Sequence, residues 1–357
     1  MKVENMLKRI ISGTVLIVLF STLLIGQDKS LVLKNIRLKK EHLETIKARL
    51  EAADEQLGPA LDSLIKEAEF ALTQGPFSVM DKESIPPSGD KHDYTSMGPY
   101  WWPDTTKPDG LPYIRRDGIV NPERNAFDKV SGSSVMDYSY KLSLAYFFTG
   151  KEKYAEHAAT LIRTWFIDDS TAMNPNFNFA QFIPGRSEGR GVGIIESRHI
   201  CKVLEGLTFL QHSRHWQSED TKAMKAWTKG FLNWLQTSPQ GKDEFERGNN
   251  HGSWYDYQVA YFALFTNQPK IAKKTLATLP QRRLEVQFDK KGAQPHELER
   301  TRSYFYSTFN LEALYSAATL AEELGIDLWH YPNSNNPILK KGIDYLAGYV
   351  GKEEAWQ

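Results

Sequence analysis

The chain of 357 residues contains a single cysteine, Cys201. One thiol excludes a disulfide framework and any iron–sulfur or multi-cysteine metal site, so stability has to come from packing. Neither sign of charge is in excess: 44 Lys and Arg stand against 44 Asp and Glu. That balance excludes a protein that wins affinity by neutralising a nucleic-acid backbone or coating an anionic membrane, and any anionic ligand has to be held locally. HExxH and clustered Cys/His motifs are missing too, so positive charge at a site must come from side chains. Convincing strand alternation is scarce. What is abundant is apolar and aromatic: 41% hydrophobic residues exclude disorder, and 9 Trp with 16 Tyr bring aromatics to 12%. Many of these fall in polar stretches, the pattern of a carbohydrate-binding surface.

Lys2, Lys8 and Arg9 precede an apolar run, Ile10 to Ile25, broken only by small or hydroxyl residues. This is the form of an export signal, too short for an ordinary span of ~20 residues, with Gly26 before Gln27 as the cleavage point. An uncleaved anchor is the competing reading, because the A-x-A consensus is missing. No cysteine follows the run, which argues against a lipoprotein. The expected product is one domain, residues 27–357, in the periplasm or secreted.

After Gln27 the helical period dominates, so an all-α architecture is expected. Ile36 to Leu57 reads as one helix stopped by Gly58-Pro59, and Ala60 to Leu72 as its partner. Ser134 to Phe148 and Lys151 to Phe166 form a second hairpin, with Gly150 placed for a left-handed helix stop. Further helices are expected over Glu196–His212, Thr221–Gln236, His251–Phe265, Pro269–Phe288, Glu297–Leu324 and Ile338–Tyr349. The stretch Tyr146 to Gly150 with Ala155 is echoed by Ala263 to Asn267 with Ala272, 117 residues on. Repeated antiparallel hairpins build an α/α toroid, complete or incomplete, with a groove at one end. Two long loops, Phe77 to Asn125 and Asp168 to Ile195, are expected to wall that groove.

Three clusters carry chemistry. The first loop holds His92 and Tyr94, then Tyr100, Trp101 and Trp102 among Pro, Gly and charged residues. Aromatic faces there would stack on sugar C–H surfaces. Arg247 to Tyr255 opens a helix with Asn249, Asn250 and His251, followed by Trp254 and Tyr255. Unpaired backbone N–H groups at that terminus favour an anion such as a carboxylate. His296 to Tyr306 is read as helical, which puts Arg302 and Tyr306 on one face and Tyr304 beside Arg300. A guanidinium there would fork a carboxylate and favour phenolate over phenol. Glu196 and Arg198, after a Gly-rich stretch, are further binding candidates, with an internal ion pair the equal alternative.

The motifs HDYxSxxPYWWPD (His92 to Asp104), NNHGSWY (Asn249 to Tyr255) and RxRSYFY (Arg300 to Tyr306), in this order, resemble the alginate lyase domain family of exported bacterial polysaccharide lyases. The resemblance runs from about Phe77 to the C-terminus and implies an α/α toroid. Asn250 and His251 match the family's Asn-His pair and Tyr306 its tyrosine; Arg302 and Arg300 both stand near the arginine's place. Relatives continue beyond a helix like Ile338–Tyr349, so a final helix or strand is expected to be missing from a chain ending at Gln357.

The resemblance implies β-elimination on a 4-linked uronate, with no metal and no organic cofactor. Asn250, an arginine and His251 would neutralise the C6 carboxylate, Tyr306 would take the C5 proton and return it to O4, and for the C5 epimer His251 would be the base. The expected partner is an anionic polysaccharide, with no nucleic acid and no membrane beyond the export signal; the oligomeric state is open. Two alternatives stand beside this. A glycoside hydrolase would need paired carboxyls, for which Asp93, Glu196 and Glu299 are the available groups. A non-catalytic glycan-binding protein would need only the aromatic groove.

Overall fold

Apolar residues around the whole circumference make a helix an inner one, and a single apolar stripe makes it an outer one. The computed structural model describes residues 33–34, 36–352 and 355–356. Its helices are α1 (Lys40–Glu51), α2 (Gly58–Ala71), α3 (Lys129–Thr149), α4 (Glu152–Phe166), α5 (Ile200–Leu210), α6 (Ser218–Thr237), α7 (Pro239–Phe245), α8 (Asn250–Phe265), α9 (Pro269–Ala277), α10 (Pro295–Leu298), α11 (Ser303–Glu323) and α12 (Ile338–Ala347). In α8 every residue but His251 and Leu264 is buried, which makes it an inner helix. Helix α4 buries Tyr154, Ala158, Leu161, Ile162 and Trp165 on one face and is outer. Inner α3 packs against α2, α4 and α5, while α8 packs against α6, α9 and α11. The result is the all-α toroid of antiparallel helix pairs. Among the described residues no helix is long and apolar enough to cross a membrane. The charged and apolar segment 1–26 lies outside the described residues.

Several expected helices change at their ends, each for a local reason. The first is shorter than Ile36–Leu57, because its opening residues serve a tertiary contact. The backbone N–H groups of Ile36, Arg37 and Leu38 donate to the Glu205 carboxylate at 3.3, 3.1 and 3.0 Å. Gly58-Pro59 opens α2 instead of merely ending α1, since proline in a first turn forgoes no helical hydrogen bond. Gly150 does take the left-handed conformation, at φ 66°. The segment Pro269–Phe288 divides into α9, a π turn at Pro280–Leu284 and one helical turn at Glu285–Gln287. Glu297–Leu324 also divides, leaving Glu299 to Arg302 between α10 and α11.

Glu205 is the deepest of these anchors. It lies on α5, is 1% exposed, and also accepts the Tyr261 hydroxyl. Glu205→Ala would leave three backbone donors and a buried phenol without their acceptor. We expect a loss of about 3 kcal/mol or more, read as a lower denaturant midpoint.

The long loops contain the only strands among the described residues. Strand β1 (Thr95–Met97) and β4 (Phe179–Phe182) pair in parallel, joining the two loops, while β2 (Trp101–Trp102) pairs antiparallel with β3 (Ile114–Arg115). The loops therefore form one hydrogen-bonded wall beside the helix ends.

Candidate active site

The site begins where α7 meets α8. Arg283 donates to the carbonyls of Phe245 and Arg247 at 2.7 and 2.8 Å, and its Nε to Asp256 Oδ2 at 2.8 Å. This bracket fixes the end of α7 against the start of α8. Glycine is required at 252: an added Cβ would stand 2.0 Å from the Arg247 carbonyl oxygen. Asn249 is the N-cap, its side chain accepting the His251 N–H at 3.2 Å. His251 Nδ1–H donates to Glu244 Oε1 at 2.7 Å, and Glu244 is fully buried. Because a carboxylate only accepts, this bond leaves Nε2 of the neutral ring as the free acceptor. Glu244→Gln is expected to lower kcat about 10-fold or more with little change in KM, measured by steady-state kinetics, because the amide no longer dictates that tautomer.

Asn250 is held on its other side. Its backbone N–H donates to Glu297 Oε1 at 2.7 Å and its Nδ2 to Glu297 Oε2 at 2.8 Å. Burial raises the pKa of Glu297, opposed by the Asn250 hydrogen bonds and by the Arg300 charge. The second Nδ2 hydrogen is not used in these bonds, and Oδ1, which is buried, has no partner among the described residues.

Glu297 links this corner to the break between α10 and α11. There the structure selects between the two arginines. The Arg300 guanidinium carbon stands 3.8 Å from the centre of the Tyr306 ring and is fixed by Asp117 Oδ1 at 3.0 Å. Arg302 is instead exposed and non-helical, capping α11 with its guanidinium over Phe305 at 4.8 Å. The expectation that Arg302 shares a helix face with Tyr306 therefore fails, because the helix starts one residue later. Asp117 is pulled down to about 2: burial raises it, but hydrogen bonds from Arg300 and Thr301 outweigh that.

The Tyr306 hydroxyl lies 2.8 Å from that of Tyr100, which brings the first long loop over α11. The Tyr306 phenol titrates above its ordinary value, not below it. Burial and the Tyr100 bond raise it, and Arg300 opposes them only in part. Trp254 and Phe309 meet with ring centres 5.1 Å apart, which sets the N-terminal ends of α8 and α11 side by side. Both ends favour an anion.

The other candidates are distributed unevenly. Trp101 and Trp102 are half-buried in the loop wall; Arg186 and Arg190 lie over Trp101 at 5.3 and 5.8 Å, and Arg116 over Trp102 at 5.5 Å. Tyr94 is no sugar platform. It is 2% exposed, stacked on Phe177, and donates to Glu196 Oε2 at 2.8 Å. Glu196 also accepts Ser96 Oγ at 2.7 Å and is consumed in this internal network. His92 donates from Nδ1 to the Ala172 carbonyl at 2.6 Å, pinning one loop to the other. Tyr255 is buried with its hydroxyl on the Leu235 carbonyl, Trp254 is buried against Tyr257 and Phe309, and Tyr304 packs on Trp356. His92, Tyr94, Tyr255 and Tyr304 are each engaged in these contacts instead.

Sequence reasoning missed Glu244, Glu297 and Asp117, which position the reactive groups. Nothing in the spacing marks them: Asp117 is 183 residues from Arg300. A cavity of about 650 Å³ between the two loops near Phe127, Phe182 and Arg186 is lined by none of Asn250, His251, Arg300 and Tyr306.

An alginate lyase family model matches residues 78–356. The chain belongs to the alginate lyase family. It is 38% identical to an alginate lyase from Bacteroides ovatus, at a TM-score of 0.87 over 91% of this chain and 87% of that one. Alginate lyase A1-III from a Sphingomonas species shares the fold at 17% identity, with a TM-score of 0.51 over 82% and 77% of the two chains. A tetrasaccharide complex of A1-III gives 14% and 0.54, over 87% and 77%. No curated protein sequence matches significantly. Within this family the chain is a polysaccharide lyase, with Asn250 and His251 at the head of α8 and Tyr306 near the head of α11.

Proposed function

We propose that this protein cleaves 4-linked uronate polymers, with alginate as its substrate, by β-elimination that leaves a 4,5-unsaturated uronate end. The observation that carries the reading is the Tyr306 phenol with Arg300 across its ring, near the start of α11, which packs against α8, the helix that opens with Asn250 and His251. The C5 proton is poorly acidic beside an ionised carboxylate. The Asn250 amide and Arg300 mask that charge, each preorganised donor contributing about 3 kcal/mol toward an enolate-like intermediate. Tyr306 removes the proton as phenolate, the form that the Arg300 charge favours against burial. The same oxygen can return the proton to O4 when both groups lie on one face of the ring. His251, with Nε2 free, serves as base for the epimer.

The hydrolase alternative loses its carboxyl pair. Asp93 is buried among Asn174 and Asn176, Glu196 belongs to the Tyr94 network, and Glu299 is exposed. The test is digestion of poly-mannuronate, poly-guluronate and glucuronan while following the ultraviolet absorbance of the unsaturated ring. New reducing ends without that absorbance would sink the proposal. The basic and apolar N-terminal residues support export to the periplasm or medium, which fractionation with sequencing of the mature N-terminus checks.

A further inference from the structure

One turn below His251, the ring of Trp254 borders a cavity of about 230 Å³ that also reaches Phe305, the neighbour of Tyr306. Arg198 stands in it. Its Nη1 donates to the Ile195 carbonyl at 2.8 Å, and its guanidinium carbon lies 5.0 Å from the Phe309 ring centre and 5.8 Å from that of Trp254. No carboxylate pairs with it within 4.0 Å among the described residues. Lys202 lines the same cavity, and the only acidic lining residue, Glu312, is exposed to solvent. The positive field is felt by His199 beside it, pushed down to about 2 by burial and then by Arg198, Lys129 and Lys202. Glu312 and Glu196 act on Arg198 only at a distance, neither within ion-pair reach, so a half-buried guanidinium keeps part of its desolvation cost and an incoming anion relieves it.

The walls say which kind of anion. Phe305 is 48% exposed and stacks with Phe309 at 5.7 Å between ring centres. Phe305 also meets the Tyr306 ring edge-on at 5.3 Å, so the cavity lies alongside the proton-transfer site, not inside it. Apolar ring faces beside a guanidinium with no directly paired carboxylate fit a sugar carrying a carboxylate.

We propose that the Arg198–Lys202 cavity is a second carboxylate-binding subsite, which holds the uronate next to the one undergoing elimination. The enzyme then requires carboxylates on two consecutive residues. This rests on the lyase reading above.

The test compares wild type, Arg198→Gln, Lys202→Gln and Arg198→Lys as full chains, with melting curves to verify folding. Kinetics on poly-mannuronate and poly-guluronate are followed by unsaturated-ring absorbance. Each Gln variant is expected to raise KM about 10-fold with kcat within about 2-fold, to flatten the salt dependence of kcat/KM, and to be partly rescued in Arg198→Lys. In a Tyr306→Phe background, calorimetry with mannuronate tetramer should show a parallel ~10-fold loss of affinity on Arg198→Gln. Folded variants with unchanged KM and unchanged tetramer affinity overturn the subsite. Should Arg198→Gln not fold, Lys202→Gln at the rim decides alone. A wild type that makes no unsaturated product refutes the lyase reading instead, and tetramer binding still reports on the subsite.

Discussion

Tyr306→Phe should lower kcat about 10³- to 10⁴-fold while polymer binding changes little, as expected when the lost group acts in the transition state as base and acid. The substitution removes one oxygen from a side chain that is 8% exposed and bonded to the Tyr100 hydroxyl, so the ring and its Arg300 contact stay in place. Calorimetry with an alginate oligosaccharide separates the two effects. A Phe variant that retains more than about a tenth of wild-type turnover would assign proton abstraction elsewhere, with His251 the next group to test.

Arg300→Gln is expected to lower kcat/KM about 10²- to 10³-fold, the ordinary cost of one preorganised donor to developing negative charge. A second consequence has a definite sign. Arg300 is the positive charge that opposes the burial-driven rise of the Tyr306 phenol, so its loss moves the phenol further up. If phenolate is the active form, activity climbs with pH through that ionisation, and in Arg300→Gln the climb shifts to higher pH. A pH–rate profile that moves the other way, or not at all, would contradict the role given to Arg300. Asp117 keeps the guanidinium in place across the working range. Its folded pKa of about 2 lies below the ordinary 3.8, so its support is complete above pH 3.8 and is lost only as pH falls toward 2.

Some of this was legible in the chain itself. Helical periodicity gave the all-α class, and Gly150 marked its helix end correctly because a left-handed stop is a local property. Asn249 to His251 at a helix start was readable for the same reason: N-capping is decided within a few residues. The aromatic loop was read too generously. Tyr100 and the two tryptophans stand in the wall, but Tyr94 is internal, and composition does not tell a ring facing a groove from one plugging the loop that makes it.

What the linear order settled, then, is the architecture and the helix start at Asn250 and His251, since periodicity and capping are written in neighbouring residues. The choice of Arg300 over Arg302 came only with the tertiary structure. A helix boundary moved by packing rotates one arginine onto the phenol and the other out to solvent. The same holds for Glu244, Glu297 and Asp117. Ion pairs and hydrogen bonds depend on distance in space, and a contact across 183 residues leaves no period or spacing along the chain.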